Sequence, residues 1–409
     1  MARGVTARDD GRMGWLNPAA RVVTPQLPRH HDGPGLPALS PTRTIPELDE
    51  PPTGPCRIAA PQWMFPGVHA LGEGRLDIFL QQIINGLTLG SVYAVVALGY
   101  TMVYGIIQLI NFAHGEVVMI GAMVAVSVIN GLVGAHTGLP PLAILAAGVL
   151  VAIPACMGVG YTLERVAYRP LRTAPRLAPL ITAIGLSIIL QHLAMVIWSR
   201  NPIPFPQIIA VMPIHITDNP NGATITNVQV VIIGTSVLMM AGLLALVYRT
   251  KLGIAMRATS QNQYIAGLMG ININTVIALT FVIGAGLGAM AGVMVGTYYG
   301  IAQYQMGFIL GLKAFSAAVL GGIGNLAGAM LGGVLLGLIE ALGAGYVGDL
   351  TNLCQLADWS DAIARRCVDD PNLTLFGSNY QDVFAFLVLI AVLIFRPSGL
   401  LGERVSDRA

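Results

Sequence analysis

A chain of 409 residues that is 55% hydrophobic and only 10% charged is excluded from the ordinary soluble domains, in which roughly a quarter of residues carry charge. Its net charge of +2 offers no footing for nucleic acid. Its four cysteines, Cys56, Cys156, Cys354 and Cys367, lack the CxxC spacing of a zinc or thioredoxin-like site. A mean hydropathy of +0.70 leaves transport, channel activity or intramembrane chemistry.

Residues 1–75 obey a different composition from the rest. They hold 12 of the 25 prolines and eight arginines, with no long apolar run, which is the signature of a disordered extension. No apolar stretch follows the first arginines, so this is not a secretory signal. A start site near Leu76 is the favoured reading, and a solvated tail is the other.

From residue 76 the chain turns apolar. The segment 78–130 contains 53 residues with Glu116 as its single full charge. About 20 apolar residues cross a bilayer as a helix, so this run makes two or three crossings. Further apolar runs follow at 140–163, 178–199, 227–248, 275–300, 307–346 and 380–395. The runs are too long for a barrel, and period-2 alternation is absent. The expected fold is all-α and polytopic, with eight to ten transmembrane helices and possible re-entrant segments.

Charge in the joints orients these helices. Arg165, Arg169, Arg172 and Arg176 fall in one joint; Arg249, Lys251 and Arg257 fall in another; Arg396, Arg404 and Arg408 end the chain. The excess of positive charge marks all three as cytoplasmic. The joints 200–226 and 349–379 read as external, the second carrying five aspartates against Arg365 and Arg366. Parity then requires run 307–346 to cross twice or re-enter, with its break at Gly321–Asn325, where glycines weaken a helix.

Glycine spacing says how the helices meet. Gly284, Gly288, Gly292, Gly296 and Gly300 recur every four residues, and Gly324, Gly328 and Gly332 repeat the pattern. Such stripes let membrane helices pack backbone to backbone.

Candidate polar sites sit inside the apolar runs. His114 and Glu116, with Asn111 nearby, are costly at membrane depth and are candidates for a translocation pathway. A structural hydrogen bond or an interfacial position are the other readings. Lys313 can snorkel from a helix end or pair with Glu340; Glu340 can instead cap a neighbouring helix N-terminus or take part in transport. Gly322-x-Gly324-x-x-Ala327, a stretch that includes Asn325, matches a dinucleotide fingerprint but lacks the preceding strand and βαβ context it needs. That glycine break serves either packing or the placing of half-helix dipoles near a substrate's charged ends. Cys354 and Cys367 share one external joint, where an oxidising compartment permits a disulfide; two free thiols are equally compatible. No metal site and no cofactor are expected.

Several segments together carry a resemblance. Asp77–Gln82, Asn85-Gly86, Leu89–Ala94, Gly99–Ile106, Ile110–Glu116, Glu164–Arg172, Ala278–Gly284, Lys313–Asn325 and Arg396–Leu401 resemble the LivH-type permease subunits of high-affinity branched-chain amino acid ABC importers. The resemblance spans about residues 76–402, leaving 403–409 as a short cytoplasmic tail. It implies a multi-pass protein of the bacterial inner membrane that carries leucine, isoleucine and valine through the lipid bilayer. It implies a second related permease, two cytoplasmic ATP-binding subunits and a periplasmic amino-acid-binding protein as partners.

The resemblance also implies an ATPase-coupling segment over 249–274, with Ala255 and Arg257 in its first part and Ala266, Gly267 and Gly270 in its second. Ala266 and Gly270 fit the A-x-x-x-G pattern of coupling helices, although Ile265 stands where a glutamate often opens that motif. The outer loop Cys354–Asn372 looks longer than is usual. The sequence contains no Gly-Lys dipeptide and so no phosphate-cradling GxxxxGK[ST] loop; ATP hydrolysis belongs to partners, and the chain is not itself an enzyme. A urea or short-amide permease is a close alternative. A proton-coupled secondary transporter using Glu116 or Glu340 is a more distant one.

Overall fold

The computed structural model describes residues 68–402 apart from 137, 173, 176, 217–221, 351–353, 355–364, 368–372, 376–379 and 397. Side chains are described from residue 76 onward, those of 348–350 excepted. Most of the Pro/Arg-rich N-terminal stretch, Arg176 and the tail 403–409 therefore lie outside the described residues.

Helix follows apolar run closely. α1 (Val68–Ile107) and α2 (His114–Gly134) divide the first run into two crossings. α1 begins eight residues ahead of the expected edge at 76, and its membrane-length portion starts at Leu76. α3 (Pro141–Thr162) continues through a π-helical turn to Tyr168; α4 (Leu177–Ile197) and α5 (Asn227–Arg249) follow. Two short helices, α6 (Lys251–Gln261) and α7 (Gln263–Leu268), lead into α8 (Ile273–Tyr299). α9 (Met306–Gly321), α10 (Leu326–Leu350) and α11 (Gln381–Phe395) complete the bundle.

Among the described residues seven helices are long and apolar enough to cross a membrane, and α9 and α11 are shorter apolar helices. α9 and α10 split the run 307–346 at Gly322–Asn325, with Gly322 and Gly324 at positive φ. The protein is an all-α, multi-pass membrane protein.

The direction of each helix follows from one cavity. Tyr104 of α1, Val247 of α5, Val319 of α9 and Phe395 of α11, each near the end of its helix, line the same space. All four therefore run toward one end, which also carries Arg249, Lys251, Arg257 and Arg396. α8 starts from that end, after α6 and α7, so α1 and α8 run in opposite directions.

Of the seven membrane-length helices α1 and α8 are the most enclosed, whereas α3, α4 and α5 expose Leu150, Ile181, Val196 and Leu238. Apolar residues on the outward face suit a lipid solvent. Glycine makes the central contacts. A Cβ on Gly337 would stand 2.3 Å from Gly90 Cα, so α10 lies directly on the backbone of α1. The α8 stripe meets three partners: Gly284 faces Gly99 of α1, Gly288 and Gly292 face Val118 of α2, and Gly296 takes the ring of Phe205.

The two halves of the bundle repeat each other upside down. α1 ends at Ile107 and is followed by Gln108 at φ 55°; α8 ends at Tyr299 and is followed by Gly300 at φ 69°. Six-residue connections, 108–113 and 300–305, then lead to α2 and α9. α1 packs on α10 as α8 packs on α3. Gly115 lies against Gly307 and Gly311, while Gly307 lies against Gly115 and Met119. Inverted repeats of this kind put the functional region of many membrane carriers at the repeat interface.

Among the described residues the paired strands lie at the end opposite Arg249, Arg257 and Arg396. β1 (Ile203–Pro204) pairs antiparallel with β4 (Ile301–Ala302), and β2 (Pro213–His215) with β3 (Thr224–Thr226). Cys354 and Cys367, also at this end, form a disulfide with Cα atoms 5.6 Å apart.

Candidate coupling face and polar sites in the bundle

Three caps divide the candidate coupling segment 249–274 into separate helices. Thr250 Oγ1 accepts from Gly253 N (3.1 Å), Asn262 Oδ1 from Ile265 N (3.1 Å) and Asn272 Oδ1 from Thr275 N (3.3 Å), opening α6, α7 and α8 in turn. Each such cap contributes about 1 kcal/mol. α7 closes with Ile271 N donating to Ala266 O and Gly270 N to Gly267 O, both at 3.1 Å. This is a Schellman closure, and Gly270 supplies its left-handed residue at φ 83°.

Ala266 is buried, so it faces the protein and not its surroundings. The exposed face of α7 is made by Tyr264, Ile265, Leu268 and Met269, of which Met269 is 80% exposed. Tyr264, Leu268 and Met269 were not singled out by the sequence pattern, which weighed the small residues and noted Ile265 only as a missing glutamate. The apolar side chains at the arginine end were the available signal. Gln263 Nε2 donates to Ile106 O (3.1 Å), tying α7 to the end of α1. Arg257 donates to Val247 O and stands 5.3 Å over the ring of Tyr248. Ala255 is half-buried on the same helix.

The cavity at this end has a volume of about 1150 Å³. α6 supplies Arg257, Ser260 and Gln261 on one side. Gly324, Asn325 and residues 398–400 supply another. The glycine break therefore lies at the arginine end of the bundle. Asn325 Oδ1 caps α10 by accepting from Ala327 N (3.1 Å) and Gly328 N (3.3 Å). That α10 N-terminus is already satisfied by its own chain.

Asn111, His114 and Glu116 lie deep in the bundle and do not join this cavity. Asn111 Oδ1 accepts from Tyr168 OH (2.8 Å). The His114 ring packs edge-on to Tyr100 at 4.9 Å, and its Nε2 is buried without a partner. Glu116, fully buried, accepts from Ser187 Oγ (2.9 Å) through Oε1. Its other oxygen, Oε2, lies 2.8 Å from the place a Cβ would take on Gly307. The N-termini of α2 and α9 meet here, and a carboxylate is what two positive helix ends favour.

A second charged cluster joins four helices. Lys313 Nζ of α9 donates to Glu340 Oε1 of α10 (2.7 Å) and to Tyr93 OH of α1 (3.3 Å), and pairs with Asp382 Oδ1 of α11 at 2.5 Å. The pairing of Lys313 with Glu340 was one of two expected readings. Asp382 and Tyr93 were not anticipated, because nothing in their local sequence points across the bundle.

Comparison with known proteins supplies the kind of membrane protein these features belong to. The family described as the branched-chain amino acid transport system permease component matches residues 82–393. The chain belongs to that family. It is 45% identical over 325 residues to the high-affinity branched-chain amino acid transport system permease protein BraD of Pseudomonas aeruginosa, covering 80% of this chain and 96% of BraD. It is 42% identical over 327 residues to LivH of Escherichia coli, a protein of the same description, again covering 80% of this chain and 96% of that one. A weaker likeness, 34% over 131 residues, reaches the autoinducer 2 import system permease protein LsrC of Salmonella paratyphi B, covering 31% of this chain and 36% of that one. No solved structure matches.

Proposed function

We propose that this chain is a permease subunit of an ATP-driven importer of branched-chain amino acids in the bacterial inner membrane. The observation that carries the reading is its 45% identity to BraD across 96% of that protein. The bundle supports it physically. It has an exposed apolar face on α7, made by Tyr264, Ile265, Leu268 and Met269, for a soluble partner.

The partners are a second related permease, two cytoplasmic ATP-binding subunits that seat on α6 and α7, and a periplasmic amino-acid-binding protein at the opposite end. In this cycle nucleotide binding moves α6 and α7 as capped rigid pieces. Gln263 passes the motion to the end of α1, and the inverted repeats switch between outward-open and inward-open arrangements. Asn111, His114 and Glu116 are the polar groups of the pathway between the two repeats, whose packing rests on Gly115 and Gly307. Gly324 and Asn325 border the inner exit.

Uptake by the reconstituted complex tests this. Leucine, isoleucine and valine should accumulate only with ATP and binding protein present. Uptake that follows a proton gradient and ignores ATP would overturn the assignment. Uptake of urea in place of leucine would overturn the cargo.

A further inference from the structure

Of the fifteen residues in α11 only Ala385 is fully buried, yet the helix is tied to α9 at both ends. At one end Asp382, in the first turn of α11, pairs with Lys313 Nζ of α9 at 2.5 Å. At the other the chain doubles back after α11. Leu400 N donates to Leu320 O (2.9 Å) and Leu401 N to Gly321 O (3.0 Å). These carbonyls belong to the last turn of α9 and have no partner within their own helix. Asn325 Nδ2 closes the strap by donating to Leu401 O (2.9 Å). Gly399 and Gly322, both at positive φ, allow the approach, since a Cβ on Gly399 would lie 2.6 Å from Gly322 Cα.

Lys313 is the hub of the first tie. Its ammonium bridges Glu340, whose side chain is fully enclosed, and Asp382, whose side chain is 39% exposed. The two carboxylates are therefore unequal. Loss of Lys313 strands a buried Glu340 charge, a change that threatens folding. Loss of the Asp382 charge leaves Lys313 still paired with Glu340 and removes only the link to α11.

We propose that Lys313 is a positioning residue of the transport cycle: with the Leu400–Leu401 strap it locks α9 and α11 into one rigid body, the wall of the inner cavity that the coupling segment moves against. The moving partner in this statement rests on the coupling reading of α6 and α7; the rigid body itself does not. Val319 of α9, Phe395 of α11 and the strap line one side of the cavity, and Arg257, Ser260 and Gln261 line the other.

The test uses the complete complex in proteoliposomes, with spin-label pairs at exposed positions. One pair, Ile309 and Leu387, spans α9 and α11. A second, Ile254 and Leu387, spans the coupling segment and α11. The first distance should stay single and narrow with and without a non-hydrolysable ATP analogue, while the second shifts. Asp382→Asn should broaden the first distance and cut leucine uptake by about tenfold, within what residues remote from a ligand exert, with ATP hydrolysis retained. Asp382→Glu should restore both. The proposal is overturned if the first distance changes with nucleotide in the unaltered protein. It is equally overturned if Asp382→Asn leaves both distance and uptake unchanged. A second distance that ignores nucleotide would sink the coupling reading instead, and the first pair would still decide the rigid body.

Discussion

The carbonyl oxygen of Val247 lies 2.1 Å from the position a Cβ would take on Gly253. α6 thus leaves α5 at backbone contact, and a methyl group cannot enter without pushing the two apart. Gly253→Ala should therefore tilt the coupling segment and reduce leucine uptake by about tenfold, with the protein still reaching the membrane. Gly267→Ala is the control, because the nearest atom to its added Cβ, Ile273 Cδ1, is 3.4 Å away. Uptake and ATP hydrolysis measured in the same vesicles check both variants. Equal activity of the two would remove the steric argument.

Gly270 presents the opposite case. Nothing lies within 4 Å of an added Cβ, but its φ is 83°, so conformation and not space is limiting. An ordinary L-residue pays about 1–2 kcal/mol in this region, and asparagine pays less. Gly270→Asn should keep most transport and Gly270→Val should lose it. Gly270→Asp should also block transport, by placing a charge beside the apolar face of Tyr264, Leu268 and Met269. Membrane levels of all three should match the parent, and immunoblots of the membrane fraction alongside uptake assays make the comparison.

The contrast shows what the sequence could and could not tell. The helices were legible because each apolar run needed only length, and the break at Gly322–Asn325 because parity demanded one. The stripe from Gly284 to Gly296 was legible as a packing surface because small residues every four positions can face only one way. Its partners were not, since α8 distributes those glycines over α1, α2 and the loop at Phe205. The segment 249–274 was legible as helix-compatible chain at the arginine end, but the face that α7 exposes was not. Ala266 turns inward because Asn262 and Gly270 fix the start and stop of α7, a register that the A-x-x-x-G pattern alone does not reveal. Lys313 and Glu340 are 27 residues apart in the chain, and their meeting depended on a tertiary turn. The inverted repeat left almost no sequence trace, because Gln108 and Gly300 play one backbone role with different side chains.

Glu116 yields a stability prediction. Its hydrogen bond from Ser187 Oγ is one of many polar contacts between membrane helices, which average about 0.6 kcal/mol. Ser187→Ala should therefore lower the melting temperature only slightly. Gly307→Ala should do much more, because its Cβ would lie 2.6 Å from Gly115 O and 2.8 Å from Glu116 Oε2. Overpacking of that kind costs about 1–3 kcal/mol. Thermal unfolding of the detergent-purified protein gives the ranking. A larger loss for Ser187→Ala would mean that the carboxylate, and not the close packing of α2 on α9, holds the repeat interface.

Sidedness can be tested with the cysteines already present. Cys354 and Cys367 are paired at the end opposite the arginines, and disulfides persist in oxidising compartments. Positive charge and disulfide thus point to the same orientation by unrelated physics, one from the field across the membrane and one from redox poise. In intact spheroplasts a membrane-impermeant maleimide should leave both cysteines unlabelled, then label both after mild reduction. Cys156, buried with its Sγ 3.4 Å from Val117 O, should stay unlabelled throughout. A cysteine placed at Tyr264, on the exposed face of α7, should react only once the membrane is opened. Labelling of that position in intact spheroplasts would invert the protein and remove α7 from the reach of any cytoplasmic ATPase.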